Sequence, residues 1–177
     1  MNTNTRQARD RHTSPEALVR LSCDPSEYVR QAVAVHHATP PDVLRTLATD
    51  AHVYVRRGVA CNPSIPADVL DQLAIDVDVD VRARIAAQPA APADVVEALA
   101  VDPDPEVRST IAMRRDLSAD IAAALLSDPS PVVRLRLSHG GSATPEIRTT
   151  VAADPDEFAR TGWREEWGEQ DWSMHGL

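Results

Sequence analysis

The chain has 177 residues, of which 43% are hydrophobic, so it is long enough and apolar enough for one domain with a moderate core. Only 3% of the residues are aromatic, and 27 acidic residues outnumber 18 basic ones, which gives a formal net charge of −9. This charge argues against a protein that binds nucleic acid or anionic membranes, because such binding uses a broad basic surface.

The expected compartment follows from features that the sequence lacks. Cys23 and Cys61 have no metal-ligand spacing and are typical of reduced thiols in a cytosolic protein. The N-terminal stretch holds no apolar core of a secretory signal, and no apolar run approaches the roughly 20 residues that cross a bilayer. All basic residues are arginine, which indicates a GC-rich genome. We therefore expect a bacterial cytoplasmic protein.

Residues 1–12 begin the chain with three arginines, Arg6, Arg9 and Arg11, and without apolar periodicity. Short polar termini of this kind are commonly mobile. The sequence predicts a flexible N-terminal arm over residues 1–12.

A 26-residue pattern then recurs six times without insertion or deletion, and repeats of this length indicate a repeat architecture. It carries an arginine, an acid six residues before it, a second acid, and two apolar columns. The arginines are Arg30, Arg56, Arg82, Arg108, Arg134 and Arg160, and the preceding acids are Asp24, Asp50, Asp76, Asp102, Asp128 and Asp154. The repeats therefore cover residues 13–165.

One repeat, residues 64–89, shows what each unit is. Pro66 suits a first helical turn, and Val69 and Leu73 lie on one face of a short helix. Val81 and Ile85 form a second apolar stripe after the turn. Helices this short are unstable alone and persist by stacking against their neighbours. The predicted fold is all-α, a right-handed α-solenoid of six 26-residue two-helix repeats followed by a C-terminal capping segment.

Two departures from the repeat resemble ligand-binding loops but lack essential residues. Residues 76–80 alternate Asp and Val, yet a calcium loop would need Gly and Glu where Val81 and Ala87 stand, so we expect a solvated acidic turn. Residues 139–141, His-Gly-Gly, predict a sharp local turn rather than a phosphate loop. No histidine pair has the i, i+4 spacing of a helical metal site. We expect neither a metal nor a cofactor.

Residues 166–177 form an acidic tail that includes Trp167 and Trp172. Trp163, just before it, falls in an apolar column of the repeat and is expected to pack on the last repeat. Two interpretations stay open: the tail caps the open end of the solenoid, or it is an exposed motif that docks in a partner or in the solenoid's own groove.

The columns that vary between repeats are the candidates for partner binding. Tyr28 and Tyr54 occupy one such column, beside Gln31 and Arg57, and tyrosine and arginine are enriched at binding hot spots. The alternative is that the tyrosines only cover the apolar stripe between repeats. A local basic stripe and the tail add further candidates, namely Arg84, Arg136, Trp167 and Trp172.

The full repeat, Pro-x-[Asp/Glu]-Val-Leu-x-x-Leu-Ala-x-Asp-Pro-x-x-x-Val-Arg-x-x-Ile-Ala, resembles the bacterial leucine-rich-repeat-variant family and is similar to HEAT-like repeats. The resemblance covers nearly the whole chain and implies that the recurring Asp and Arg form a structural ladder along the turns. Arginine suits that role because its fork can bridge a carboxylate and backbone carbonyls. The family's N-terminal four-cysteine iron–sulfur cluster has no match, because both cysteines lie inside repeats.

These features favour a non-enzymatic scaffold that binds a protein or peptide, because a catalytic residue would be needed once rather than six times. A second hypothesis is a nucleic-acid-binding protein, since some HEAT-like solenoids are alkylpurine DNA glycosylases. Its difficulties are the acidic charge and the few aromatic platforms for bases. A third is an accessory or regulatory subunit of one dedicated bacterial enzyme.

Overall fold

The computed structural model describes residues 3–162, which contain thirteen helices and no strand. Trp163, Trp167 and Trp172 lie outside the described residues. The chain divides into two compact units, Met1–Ile111 and Ala112–Leu177. Each unit consists of consecutive helix pairs, and each pair falls within one 26-residue repeat. The predicted all-α repeat fold is therefore confirmed for the part of the chain that is described.

The first unit contains helix α1 and four helix pairs. Helix α1 spans Thr3–Arg9. The first helices of the pairs are α2 (Pro15–Leu21), α4 (Pro41–Leu47), α6 (Ala67–Leu73) and α8 (Ala93–Ala100). The second helices are α3 (Glu27–Ala34), α5 (Val53–Ala60), α7 (Val79–Ala86) and α9 (Pro105–Ala112).

The second unit contains two further helix pairs. They are α10 (Ala119–Leu126) with α11 (Pro131–His139), and α12 (Pro145–Ala152) with α13 (Glu157–Thr161). Within this unit α11 packs against α13, and α12 contacts both of them.

Local sequence explains where the helices begin. The first helix of five of the six pairs starts at a proline or directly after one, where the missing N–H leaves no bond unmade. Ser14, Ser118 and Thr144 cap three of these helices with side-chain oxygens that accept a backbone N–H. Caps alone do not hold helices of seven or eight residues, so packing has to supply the rest.

That packing is aliphatic, as the composition predicts. Leu44 and Leu70 on first helices and Val55 and Val81 on second helices are buried. Burying a side chain of this size contributes roughly 1.5–3 kcal/mol. Because every repeat presents the same columns, each helix pair buries its apolar face against the neighbouring pair of its unit.

The N-terminal segment differs from the flexible arm that the sequence predicts. Residues Thr3–Arg9 form α1, Ala8 is fully buried, and α1 packs against α3 as α3 packs against α5. Helix α1 therefore occupies the place of a second helix one repeat before α3. The sequence conceals this half-repeat because Thr3 and Gln7 stand where the later repeats carry apolar residues, and only Ala8 keeps the pattern.

The turn at residues 139–141 also has a different cause from the one predicted. Gly140 has φ −65° and ψ 164°, which any residue can adopt, so conformational freedom is not what requires glycine there. A Cβ on Gly140 would collide with the carbonyl oxygen of Ala112. The glycine is needed because two backbone segments approach each other too closely for a side chain.

Candidate functional site

The recurring arginines bind aspartates of the following repeat. In each of four pairs, the Nε and Nη2 atoms of the arginine donate to the two carboxylate oxygens of an aspartate 20 residues later, at 2.6–3.0 Å. The pairs are Arg30–Asp50, Arg56–Asp76, Arg82–Asp102 and Arg134–Asp154. Such bidentate, charge-assisted pairs have both fixed geometry and strength.

The aspartate six residues earlier contributes its backbone instead of its carboxylate. The Nη1 atom of Arg82 donates to the carbonyl of Asp76 at 2.8 Å, and the other ladder arginines, including Arg108 and Arg160, make the same contact. Each arginine thus stabilises the turn that precedes its own helix. Where its carboxylate partner is described, the arginine also joins two repeats.

The ladder aspartates also shape the turns in which they lie. In every repeat, Oδ1 of the aspartate accepts the backbone N–H two residues later, at 2.8–2.9 Å. The hydrogen bond from Arg134 lowers the pKa of the Asp154 carboxyl, and the same bond raises the pKa of Arg134. Both charges are therefore favoured in the folded chain.

A second polar column, absent from the sequence prediction, ties the repeats of the first unit together. Asn62 is buried, and its Nδ2 donates to the carbonyls of Ala34 and His36 in the preceding repeat, at 2.7 and 3.0 Å. Gln88 repeats this arrangement through its Nε2, which donates to the carbonyl of Ala60 at 2.6 Å. His36 Nε2 lies 3.0 Å from the carbonyl oxygen of Asp10. The 26-residue spacing of His36, Asn62 and Gln88 could have revealed this column in the sequence. The residue type changes from one repeat to the next, and this change hides the periodicity.

The structure places both predicted tyrosines on one face of adjacent second helices. Tyr28 on α3 is 60% exposed and Tyr54 on α5 is 50% exposed, so neither is covered by the neighbouring repeat within the described residues. Gln31 and Arg57 lie one turn further along the same helices and are half-buried. We call Tyr28, Gln31, Tyr54 and Arg57 the tyrosine patch.

Arg57 is held in place by the turn of the next repeat. Its guanidinium donates to both carboxylate oxygens of Asp78 at 3.0 Å and lies 2.7 Å from a carboxylate oxygen of Asp80. Its carbon Cζ stands 5.6 Å from the centre of the Tyr54 ring, within cation–π range. The hydrogen bond from Arg57 lowers the pKa of Asp78. Residues 76–80 are thus not the solvated acidic turn that the sequence predicts, because two of their carboxylates bind Arg57.

Gly58 permits the close approach of α3 and α5 beneath this patch. A Cβ on Gly58 would lie 2.9 Å from the Cβ of Ala34 and 3.3 Å from the carbonyl oxygen of Gln31. Neither neighbour is the end of a flexible side chain, so the helices would have to separate. Gly58 therefore sets the spacing of the two helices that carry the tyrosines.

We expect Gly58→Ala to lower the free energy of unfolding by about 1 kcal/mol, because overpacking outweighs the gain in helix propensity. Chemical denaturation of Gly58→Ala, Ala34→Gly and the double variant measures the effect. The double variant should be more stable than the sum of the single effects, since it removes the clashing Cβ. Additive effects would contradict the close approach.

Of the remaining candidate residues, two lie in the described part of the chain and two lie outside it. Arg84 is exposed, and its Nη1 lies 3.1 Å from the sulfur of Cys61. Arg136 is exposed and belongs to the second unit. Trp167 and Trp172 lie outside the described residues.

Within residues 3–162, no three His, Cys, Asp or Glu side chains converge to hold a metal ion. None of the described helices is both long and apolar enough to cross a membrane. Cys23 and Cys61 are both exposed and unbridged.

The chain was compared with known families, curated proteins and solved structures. No family model and no curated protein matches it. Among solved structures it is similar to a leucine-rich repeat variant described as having a novel repetitive structural motif. The identity is 28%, covering 89% of this chain and 77% of the other, with a TM-score of 0.40. This is the family that the repeat pattern of the sequence resembles.

Proposed function

We propose that the chain is a non-enzymatic binding module that holds a protein or peptide on the tyrosine patch. The observation that carries the proposal is the exposure of Tyr28 and Tyr54 on successive repeats of a chain with only 3% aromatic residues. Tyrosine gives a large contact area with two rotatable bonds and a hydroxyl, and it is enriched at binding hot spots.

The surroundings of the tyrosines favour binding because they are already ordered. Arg57 is fixed by Asp78 and Asp80 and stands near the Tyr54 ring. The centre of the His52 ring lies 5.4 Å from the centre of the Tyr54 ring, and His52 directly precedes α5. A partner that meets ordered side chains loses less conformational entropy on binding, so more of the contact energy appears as affinity.

The charges around the patch favour a peptide over a nucleic acid. Two carboxylates already bind Arg57, and Arg30 and Arg56 are engaged in the ladder. Phosphate binding needs cations that can release their counterions to the backbone of the nucleic acid. The patch supplies aromatic and hydrogen-bonding groups instead, which suit an apolar or polar peptide segment.

We place this module in the cytoplasm, where its partner would be met. The two exposed, unbridged cysteines suit a reducing compartment. The proposed protein partners include a dedicated enzyme of the same cell.

The experiment compares the wild-type chain with a Tyr28→Ala/Tyr54→Ala variant. Proteins captured from a lysate of the source cell are identified, and the purified partner is then titrated against both chains by calorimetry. We expect the double variant to bind at least about tenfold more weakly, because truncating a hot-spot tyrosine costs more than about 1 kcal/mol.

The matched control is Val19→Ala, which shortens an exposed apolar side chain on α2 of the same unit. It should leave the affinity unchanged. A partner that binds the double variant as tightly as the wild-type chain would place its site elsewhere. Failure of the wild-type chain to capture any protein or peptide would also contradict the proposal.

A further inference from the structure

The last ladder arginine has an unused binding edge. In four of the other repeats, Nε and Nη2 of the ladder arginine bind an aspartate of the following repeat; these arginines are Arg30, Arg56, Arg82 and Arg134. Arg160 uses only Nη1, which donates to the carbonyls of Asp154 and Pro155 at 2.6 and 3.1 Å. Within residues 3–162 its Nε and Nη2 have no partner. The same backbone contacts hold the guanidinium in the ladder position, ready for a carboxylate.

Arg160 also borders a cationic cleft of the second unit. The cleft has a volume of about 390 Å³, and no carboxylate lines it. Its lining residues are Ser138, His139, Arg148, Val151, Ala152 and Arg160. Arg148 is exposed and forms no ion pair in the described part of the chain. The cleft thus places the two arginines beside apolar side chains, in contrast to the net charge of −9 of the whole chain.

The sequence that follows supplies the complementary chemistry. Gly162 ends α13 in the left-handed conformation, with φ 75°, and residues 166–177 do not continue the repeat pattern. Residues 163–177 contain four acids, Glu165, Glu166, Glu169 and Asp171, against the single arginine Arg164, and they contain all three tryptophans of the chain. At about 3.3–3.6 Å per residue, Glu165 and Glu166 lie about 10–14 Å of chain beyond Gly162, within reach of Arg160.

We propose that residues 163–177 dock into this cleft of their own chain. A carboxylate from Glu165 or Glu166 binds the Nε and Nη2 edge of Arg160, as the ladder aspartates do on the internal repeats. Trp167 packs against the apolar wall formed by Val151 and Ala152. The contact covers the last helix pair, beyond which residues 166–177 no longer follow the repeat pattern.

Intrinsic tryptophan fluorescence tests the proposal, because every tryptophan lies in residues 163–177 and excitation at wavelengths that tyrosine does not absorb reports on that segment alone. The measurement uses the full chain with Trp163→Phe and Trp172→Phe, which leaves Trp167 as the only reporter. We expect its emission to be blue-shifted, and its quenching by acrylamide to be several-fold weaker, than in a free peptide of residues 163–177.

Glu165→Gln/Glu166→Gln in this background removes the proposed carboxylates without changing a ladder residue. We expect its emission and quenching to approach those of the free peptide, while the far-ultraviolet circular dichroism stays that of the parent. Glu169→Gln/Asp171→Gln is the matched control with the same change of charge, and it should leave the emission unchanged. Arg160→Gln should act like the first variant, and Arg136→Gln like the second.

Three results would overturn the proposal. If acrylamide quenches Trp167 as strongly in the full chain as in the peptide, the segment is exposed and open to a partner. A blue shift that disappears on dilution would mean that the segment docks on a second copy. Equal effects of the two glutamine pairs would mean that net charge, and not the Arg160 contact, governs the emission.

Discussion

We expect Arg82→Ala to lower the free energy of unfolding by about 3–5 kcal/mol, the usual cost of removing one partner of a buried ion pair. The side chain of Arg82 is 13% exposed and that of Asp102 is 5% exposed, so the abandoned carboxylate gains little solvation. The carbonyl of Asp76 loses its donor as well. Urea denaturation followed by circular dichroism measures the change.

Arg45→Ala is the matched control, because Arg45 binds an aspartate of the next repeat at the same distance but on the surface. Both Nε–Oδ2 distances are 2.7 Å, while Arg45 and Asp68 are 46% and 59% exposed. The expected loss for an exposed pair is below about 1 kcal/mol. Similar losses for Arg82→Ala and Arg45→Ala would show that the ladder is no more than a set of surface contacts.

Adding Asp102→Ala to Arg82→Ala should recover part of the lost stability. The second change removes the uncompensated carboxylate, although it also removes the acceptor of the Asp104 N–H. If the double variant is as unstable as the sum of the two single variants, the two residues do not act as a pair.

The sequence predicts the ladder residues well but not how they connect. Arg82 and Asp76 are recognisable because the same residue types recur at fixed positions in every repeat. Their connection depends on the offset between stacked repeats, which a single repeat does not contain. The structure therefore pairs Arg82 with Asp102, 20 residues later, and leaves only a backbone contact to Asp76.

The same limitation applies to the candidate site. Periodicity places Tyr28 and Tyr54 in one column of the second helices, but it leaves open whether they are exposed or cover the apolar stripe between repeats. The carboxylates that hold Arg57 could not be predicted, because Asp78 belongs to a turn 21 residues away that stacking brings into contact. Helix α1 was concealed for a different reason, since a half-repeat with Thr3 and Gln7 in apolar columns leaves too few matching positions.

We expect the second polar column to contribute nearly as much to the free energy of unfolding as the ladder, and Asn62→Ala tests this expectation. Asn62 is fully buried and satisfies three backbone groups: the carbonyls of Ala34 and His36 and the N–H of Ser64. An unsatisfied buried polar group costs about 1–3 kcal/mol. We expect Asn62→Ala to lower the free energy of unfolding by about 3 kcal/mol, measured by urea denaturation.

The location of the damage separates this column from the ladder. The bonds of Asn62 join α5 to the end of α3, so hydrogen exchange should accelerate first at the backbone amides of those two helices. Thr46→Ala is the control, because it removes an exposed hydroxyl that donates to the carbonyl of Asp42, and it should change stability by less than about 0.5 kcal/mol. Uniform acceleration throughout the first unit would mean that Asn62 supports general packing instead of a specific link between repeats. Acceleration confined to α3 and α5 would show that two independent hydrogen-bonded columns hold adjacent repeats, one along the turns before the second helices and one at the C-terminal ends of those helices.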